Sequence, residues 1–585
     1  MLNIESGMIM KYFLKCIYVA AATLTLVGCS FLNQEPYDEF TDLEFWKSED
    51  QARSFMYGFY TSFFSGYGSG TSHGPFMMGQ TLNDDFSSDV SQNNLQPEVV
   101  PVSDGAWSFT VVRRANYVLE NIDRLDASKD VLNHWRGVAR FFRACSYSGL
   151  VFTFGDVPWY DKVPASTDND YLYKDRDPRT FVDSCIMEDF RYAMDNVRAA
   201  DGSLQVNKYV VAGMASRFML REGTYLKYHY ATDANCMAMA EQCLKFAKDA
   251  ALMVINSGKY SIAPSYKQLF TSEDLASNPE VLIYRHYVDG VLAHSTLAYS
   301  FSEAQAGASR SLAEAFLNTD GTAFAAVKKT AKEFYAGRDP RLAMCLRTLN
   351  DKYLVKGENN SPFSYALSGY SISKFMDDSK VGDGNPTFAR EKNVTDAPCL
   401  RYAEILLNYV EAAYELNQLN PAFTFSQDDI DMSVNAIRDR ADVQMPHLII
   451  GSEPADAKRD AIEAVANGGV TPALLWEIRR ERRVELCFEG FRLNDLKRWK
   501  KLDYLWNDCN PDIRYGAYIK ASDYSNKAPE VVFEEEKATE GYILRNTEKA
   551  RERPVERNYI SPVPSGQVQL YEAHGYKLTQ TKEWQ

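Results

Sequence analysis

Apolar residues return at helical spacing in long stretches at both ends of this 585-residue chain, and the middle breaks that rhythm. Near the start, Phe45, Ala52, Phe55, Met56, Phe59, Tyr60 and Phe63 share one helical face, and Thr41 followed by Glu44 predicts a capping box at its entry. The same periodicity predicts helices over about 107–125, 130–150, 181–198, 206–229 and 235–256, then 400–417, 427–440, 454–467 and 472–489. From 258 to 399, Gly, Ser, Asn and Asp are frequent and only short β-prone pieces such as Val281–Arg285 stand out. The tail beyond 500 is punctuated by Pro511, Pro529, Pro554, Pro562 and Pro564. Such a chain is mostly α with minor β. Its paired helices predict tetratricopeptide-like stacking, although no repeat of about 34 residues is legible.

Charge narrows the partners. The formal net charge is −15, so a polyanion gains nothing from counterion release on this surface, and nucleic acid is excluded as a partner. With 45% hydrophobic and 24% charged residues, the chain is neither disordered nor a polytopic membrane protein. Aromatics reach 13%, so many rings must be buried or presented to a ligand.

The N-terminus reads as an export signal. Lys11 and Lys15 flank an apolar run, Ile17 to Gly28, that ends in Leu26-Val27-Gly28-Cys29. Leu-x-Gly-Cys resembles a bacterial lipobox, after which Cys29 becomes a lipidated first residue. The expected organisation is a leader over 1–28, a lipidated tether over 29–40 and one domain over 41–585. Within that domain, 41–257 is helical, 258–399 is a loop-rich insertion and 400–585 is helical again. Apart from Cys16 and Cys29, eight cysteines are dispersed without a CxxC pair, and the seven histidines form no HExxH pair, so free buried thiols and no metal centre are expected.

Two clusters invite a chemical reading. Glu477, Glu481, Glu485 and Glu489 recur every four residues among Arg479, Arg480, Arg482 and Arg483, which predicts one stripe on an ion-paired helix. Glu481 and Glu485 could be read as a glycosidase pair, but neighbouring cations favour the ionised form, and a general acid needs the opposite. Glu481, Arg482, Glu485, Glu489 and Arg492 are therefore read as structural, and no catalytic role is assigned. Asp84 and Asp85 sit in a Gly-rich loop, where turn capping, a bound cation, a catalytic pair or hydrogen bonds to a polyhydroxylated ligand all remain open. Gly66-Tyr67-Gly68-Ser69-Gly70 has no strand before it and no helix after it, so it is a loop and not a phosphate cradle. Rings bordering the irregular regions, Tyr67, Phe76 and Trp107, then Tyr287, Tyr299, Phe301 and Tyr365, are candidate ligand platforms.

Together these residues resemble the SusD/RagB family of surface lipoproteins. The resemblance runs from Cys29 and Asn33-Gln34-Glu35-Pro36 through Phe45-Trp46 and the Trp107–Asn121 stretch. It continues through Arg338-Asp339-Pro340-Arg341, Leu400-Arg401-Tyr402-Ala403-Glu404 and Ile437-Arg438-Asp439-Arg440. It ends with Glu481-Arg482-Arg483, Phe488-Glu489-Gly490, Asp495-Leu496-Lys497-Arg498-Trp499, Pro562-Val563-Pro564 and Trp584. It implies a SusD-like fold in which helix pairs support a loop-rich ligand face, a non-catalytic role and no cofactor. It also implies lipid anchoring in the outer membrane, facing outward, as the lid of a SusC-like TonB-dependent barrel. The implied ligand is a glycan, or a peptide in RagB-like members. By region, it places the ligand near the 64–107 loop and the 285–301 segment, with Trp107 foremost.

Overall fold

The computed structural model describes residues 46–76, 82–87, 99–298, 307–325, 331–347, 368–377, 389–520, 539–544 and 552–585. Cys29, Tyr299, Phe301 and Tyr365 lie outside these residues, as does the expected cap at Thr41. The first described helix, α1, spans Glu49–Phe63 and begins at a different capping box: Ser48 Oγ accepts from Gln51 N, and Gln51 Oε1 accepts from Ser48 N at 3.0 Å.

Five further helices complete the N-terminal frame: α2 (Thr110–Asn121), α3 (Lys129–Phe154), α4 (Arg179–Asn196), α5 (Lys208–His229) and α6 (Ala234–Ile255). Three of the five starts follow polar caps. Ser128 accepts from Val131 N, Asn207 from Tyr209 N and Val210 N, and Asp233 from Asn235 N and Cys236 N. Helix α3 packs along α4, and α5 along α6. The α5–α6 approach depends on Gly223, where a Cβ would come within 2.8 Å of the Leu244 side chain and 3.0 Å of its backbone nitrogen. This frame, with Tyr402–Leu419 from the C-terminal half, encloses the largest of the buried clusters, including Phe59, Trp135, Phe142, Tyr147, Leu226 and Tyr409.

The irregular middle is not a separate layer. All described strands lie in two-stranded antiparallel ladders: β1 (Gly68–Ser69) with β2 (Ser72–His73), β3 (Phe86–Ser87) with β5 (Gly307–Ala308), β4 (Val281–Arg285) with β8 (Ala397–Arg401), β6 (Leu346–Arg347) with β7 (Ser371–Ile372), and β9 (Tyr515–Lys520) with β10 (Glu540–Leu544). Strand β8 runs directly into the next long helix. In the C-terminal half, α7 spans Pro340–Cys345, α8 Tyr402–Leu419, α9 Ala473–Glu485 and α10 Arg492–Arg498. Asp339 caps α7, and Pro340 fills a first-turn position that needs no donor.

Two expectations change in detail. The predicted 427–440 helix is broken by a π turn over Asp431–Asn435, where Ser433 Oγ donates back to the Asp429 carbonyl. The predicted 472–489 helix stops at Glu485, so Glu489 is not on its stripe. The chain reverses through Phe488 (φ 64°) and Gly490 (φ 85°). A left-handed Phe is costly, and burial of its ring edge-on against Phe86, centroids 5.4 Å apart, offsets that cost.

Candidate functional site

Three arrangements meet where the helical frame joins the irregular middle: a buried charge network, a loop face and a cavity. The network centres on Glu485. Arg401 Nη1 and Arg440 Nη2 reach its Oε1 at 2.7 and 2.8 Å, and Arg341 Nη1 reaches Oε2 at 3.0 Å. Arg341 also bonds Glu481 at 2.6 Å and Asp339 at 2.8 Å, and Arg438 takes the other Glu481 oxygen at 2.9 Å. Glu489, beyond the helix, receives Arg401 at 2.7 Å and Lys374 at 2.6 Å, while Glu280 receives Arg401 at 2.9 Å and Arg440 at 2.6 Å. Burial alone would raise the Glu485 carboxyl. Arg440, Arg401 and Arg341 outweigh it and hold the group well below the usual range. Glu481 is lowered in the same way, by Arg341 and Arg438 against burial. Both are fixed carboxylates, and neither can lend a proton. The partners come from α7, β8 and the 435–440 turn rather than from the same helix; of the expected intrahelical pairs, Arg480 with Glu477 forms at 3.1 Å.

Asp84 and Asp85 join the same scaffold. Arg492 grips Asp84 at 2.7 and 2.8 Å, and Arg483 bonds Asp85 at 2.8 Å. Both aspartates are buried. Despite burial, Arg483 and Arg492 bring Asp84 down to about 2. The pair thus ties the Gly-rich loop to α9 and α10, with arginines facing its charge. Arg482, from the same stretch, is spent on Asp495 at 2.9 Å and on Asn408 at 2.9 Å.

The expected ring platform is also used internally. Tyr67, Phe76 and Tyr287 are 2, 7 and 2% exposed. Tyr67 stands 5.1 Å from Phe76, 6.3 Å from Tyr287 and 4.9 Å from His294, centroid to centroid. Their hydroxyls are satisfied within the fold, Tyr287 donating to the Gly68 carbonyl at 2.8 Å and Tyr67 to that of Phe270 at 3.3 Å. These rings sit in the second core, under the loops. Trp107 lies elsewhere. Half-buried, it meets Phe109 and Phe154 edge-on at 5.6 and 4.9 Å and packs against the C-terminal cluster of Val563, Tyr571 and Leu578.

Above the rings the two expected loop regions come together. Gly70 N donates to the Ala293 carbonyl at 2.8 Å, and Ser295 Oγ donates to the Gly70 carbonyl at 2.7 Å. His294 and Asn393 exchange backbone bonds of 3.0 Å each. The β1–β2 turn is tight enough to need Gly74, where a Cβ would fall 1.8 Å from the Gly66 carbonyl oxygen. Thr71, Ser72, His73, Asp289, Arg390 and Glu391 are exposed along this face, beside Val291 at 83%.

Beneath that face a cavity of about 390 Å³ separates α5 from α10. Met214, Arg217, Phe218 and Arg221 line it from α5, at one-face helical spacing, and Phe491 and Asn494 line it from the α10 side. The sequence carried no sign of it, because its walls come from four distant segments. No trio of His, Cys, Asp or Glu among the described residues is placed to hold a metal ion, and no described helix is long and apolar enough to cross a membrane.

Residues 298–584, which supply α7 to α10 and most of the network's guanidiniums, match the SusD family. That stretch, just under half of the chain, is a SusD-family segment. A SusD-like protein P2 of Formosa agariphila is 23% identical over 498 residues, covering 82% of this chain and 89% of that one. Among solved structures, a SusD-like carbohydrate-binding protein of Bacteroides fragilis superposes with a TM-score of 0.64 at 19% identity, over 90% of this chain and 99% of that one. A laminarin-binding SusD-like protein does so with a TM-score of 0.51 at 16% identity, over 92% and 100%. The fold is therefore SusD-like: mostly helical, with small two-stranded sheets. SusD-family proteins bind rather than catalyse, which agrees with carboxylates held ionised by arginine.

Proposed function

We propose that this SusD-like protein binds oligosaccharides at the cell surface and delivers them, as a hinged lid, to a SusC-like TonB-dependent outer-membrane barrel, with Cys29 as its lipid anchor. The observation that carries the reading is the junction of the 66–74 and 286–294 loops. It produces one polar face, with hydroxyls, an imidazole and charged groups at its rim, over a bed of rings that cannot shift. A rigid bed under adaptable polar tips suits a hydroxyl-rich ligand, whose orientation is set by hydrogen bonds. The solved relatives described as carbohydrate-binding and laminarin-binding support the same ligand class. Tyr299, Phe301 and Tyr365 remain the proposed stacking rings, and Trp107 is a proposed ring away from this face. Ligand held between lid and barrel shifts the lid toward its closed state by the difference in its affinity for the two states.

Calorimetric titration of residues 30–585 with laminarin, starch and xyloglucan oligosaccharides, and with mixed peptides, tests this. Saturable saccharide binding without cleavage is the expected result. Binding of peptides alone would replace the reading with a RagB-like peptide lid. Release of shortened sugars would sink both and point to a lipid-anchored glycosidase.

A further inference from the structure

One cation lining the cavity beside α5 and α10 has no carboxylate in ion-pair contact among the described residues. Five arginines line it: Arg217, Arg221, Arg401, Arg482 and Arg498. Four are neutralised in place. Arg217 holds Glu404 at 2.6 Å, Arg482 holds Asp495 at 2.9 Å, Arg498 holds Glu411 at 2.6 Å, and Arg401 belongs to the Glu485 network. Arg221 has no carboxylate within ion-pair distance among the described residues; its Nη2 donates to the Ser148 carbonyl, its Nη1 has no partner there, and its buried Nε is unpartnered. Its guanidinium carbon lies 4.2 Å from the Phe152 ring centre and 4.9 Å from that of Phe218, so stacking holds the plane and leaves edge donors to face the cavity. Burial pulls this guanidinium down to about 10, and Glu222, itself bonded to Arg179, offsets that only in part. On the facing wall, the Asn494 side-chain amide makes no hydrogen bond to any described residue.

We infer that this cavity is a second binding site, one that takes a small carboxylate-bearing ligand, with Arg221 clamping the carboxylate and Asn494 bonding the ligand body. The volume of about 390 Å³ lies within the range of small-molecule sites. A single unanswered cation matches a monoanion. A dianion such as phosphate would set surplus negative charge beside Glu404, Glu489 and Asp495, which also line the walls. Phe63, Phe76, Phe218 and Phe491 offer flat apolar walls, and exposed Ser62 marks the route to solvent. A uronic-acid sugar and a peptide C-terminus share this chemistry. The inference does not rest on glycan capture at the loop face.

The test is calorimetry on the detergent-solubilised full-length protein. The probes are D-galacturonate and D-glucuronate against D-galactose and galactose 6-sulfate, and trialanine against its C-terminal amide. Carboxylate binding is expected, without binding of the matched neutral compound; uronate or trialanine in that role names the source. Arg221→Gln should weaken it about ten- to a hundredfold, as expected for loss of a charge-assisted hydrogen-bonded contact. Asn494→Asp, which sets a like charge opposite the ligand without touching α5, should weaken it comparably, with melting temperature unchanged. Binding of neutral oligosaccharides at the loop face should survive both changes. Equal binding of galactose and galacturonate, preference for the sulfate ester, no binding of any carboxylate, or indifference to Asn494→Asp in a folded variant would each overturn the proposal.

Discussion

Replacing Glu485 by Gln removes one charge and almost no volume, so it isolates the electrostatic role of the network. Five cations, Arg341, Arg401, Arg438, Arg440 and Lys374, face five carboxylates, Asp339, Glu280, Glu481, Glu485 and Glu489, all buried. In Glu485→Gln three guanidiniums lose a shared partner at once, and the amide nitrogen turns a donor toward one of them. Arg341 keeps Asp339 and Glu481, and Arg401 keeps Glu280 and Glu489, but Arg440 retains only Glu280 as a carboxylate. Breaking one side of a buried ion pair costs about 3–5 kcal/mol, and three partners with partial compensation keep the expected loss in that range. Arg440→Met in the same background restores equal numbers of opposite charges. The double variant should therefore be destabilised by about 1–3 kcal/mol less than the sum of the single changes. Urea unfolding followed by far-UV circular dichroism measures all three variants. A loss below about 1 kcal/mol for Glu485→Gln, or strict additivity with Arg440→Met, would refute the view that these charges act as one unit.

Acid should unfold the protein in two windows. His134, His229 and His294 are held, chiefly by burial, at about 4, 3 and 3 against a usual 6.5, so the unfolded chain takes up protons first as pH falls below 6.5. Stability should then decline by up to about 1.4 kcal/mol per pH unit for each, as read from urea midpoints between pH 7 and 4. Burial would raise Glu411 and Asp84, but arginines bring both to about 2, so their contribution is complete above about pH 4.5 and lost as pH falls toward 2. The eight cysteines in the described residues are free, and Cys145, Cys243, Cys345 and Cys487 are fully buried; a thiol reagent should leave these four unlabelled until denaturant is added, and rapid native labelling at Cys345 or Cys487 would contradict their packing. Asp84→Ala, which strands Arg492 and leaves Arg483 with Asp85 alone as a carboxylate, should loosen the loop it anchors, so that limited proteolysis near residue 82 accelerates; an unchanged cleavage pattern would show the loop is held by other means.

The helical frame was legible because amphipathic spacing and polar caps are local. The expected segments over 130–150, 206–229 and 235–256 fall within a few residues of α3, α5 and α6. The ends were less legible where side chains compete with the backbone, as Ser433 does in the π turn, or where Phe488 enters a left-handed conformation that only tertiary packing supports. Charge pattern gave the right chemistry for the Glu481–Glu489 stretch but the wrong partners, since the arginines that matter are 43 to 144 residues away. Ring positions were least legible. Periodicity cannot separate Tyr67 and Tyr287, which pave a core, from rings that face a ligand, because both lie in Gly-rich irregular chain. The cavity was invisible for a related reason: Arg221 is an ordinary helical arginine until three dimensions show that the adjacent Glu222 is spent on Arg179.

The placement of the acidic partners also orders events in time. Asp84, Asp85 and Glu280 precede the arginines they neutralise, Arg440, Arg483 and Arg492. A chain made from its N-terminus thus leaves Asp84 and Asp85 uncompensated, and hydrated, until Arg483 and Arg492 emerge with about a sixth of its length still to come, while Glu280 waits for Arg401 and Arg440. Burying these carboxylates earlier would mean burying bare charge. That part of the core can close without bare charge only when the final arginines arrive.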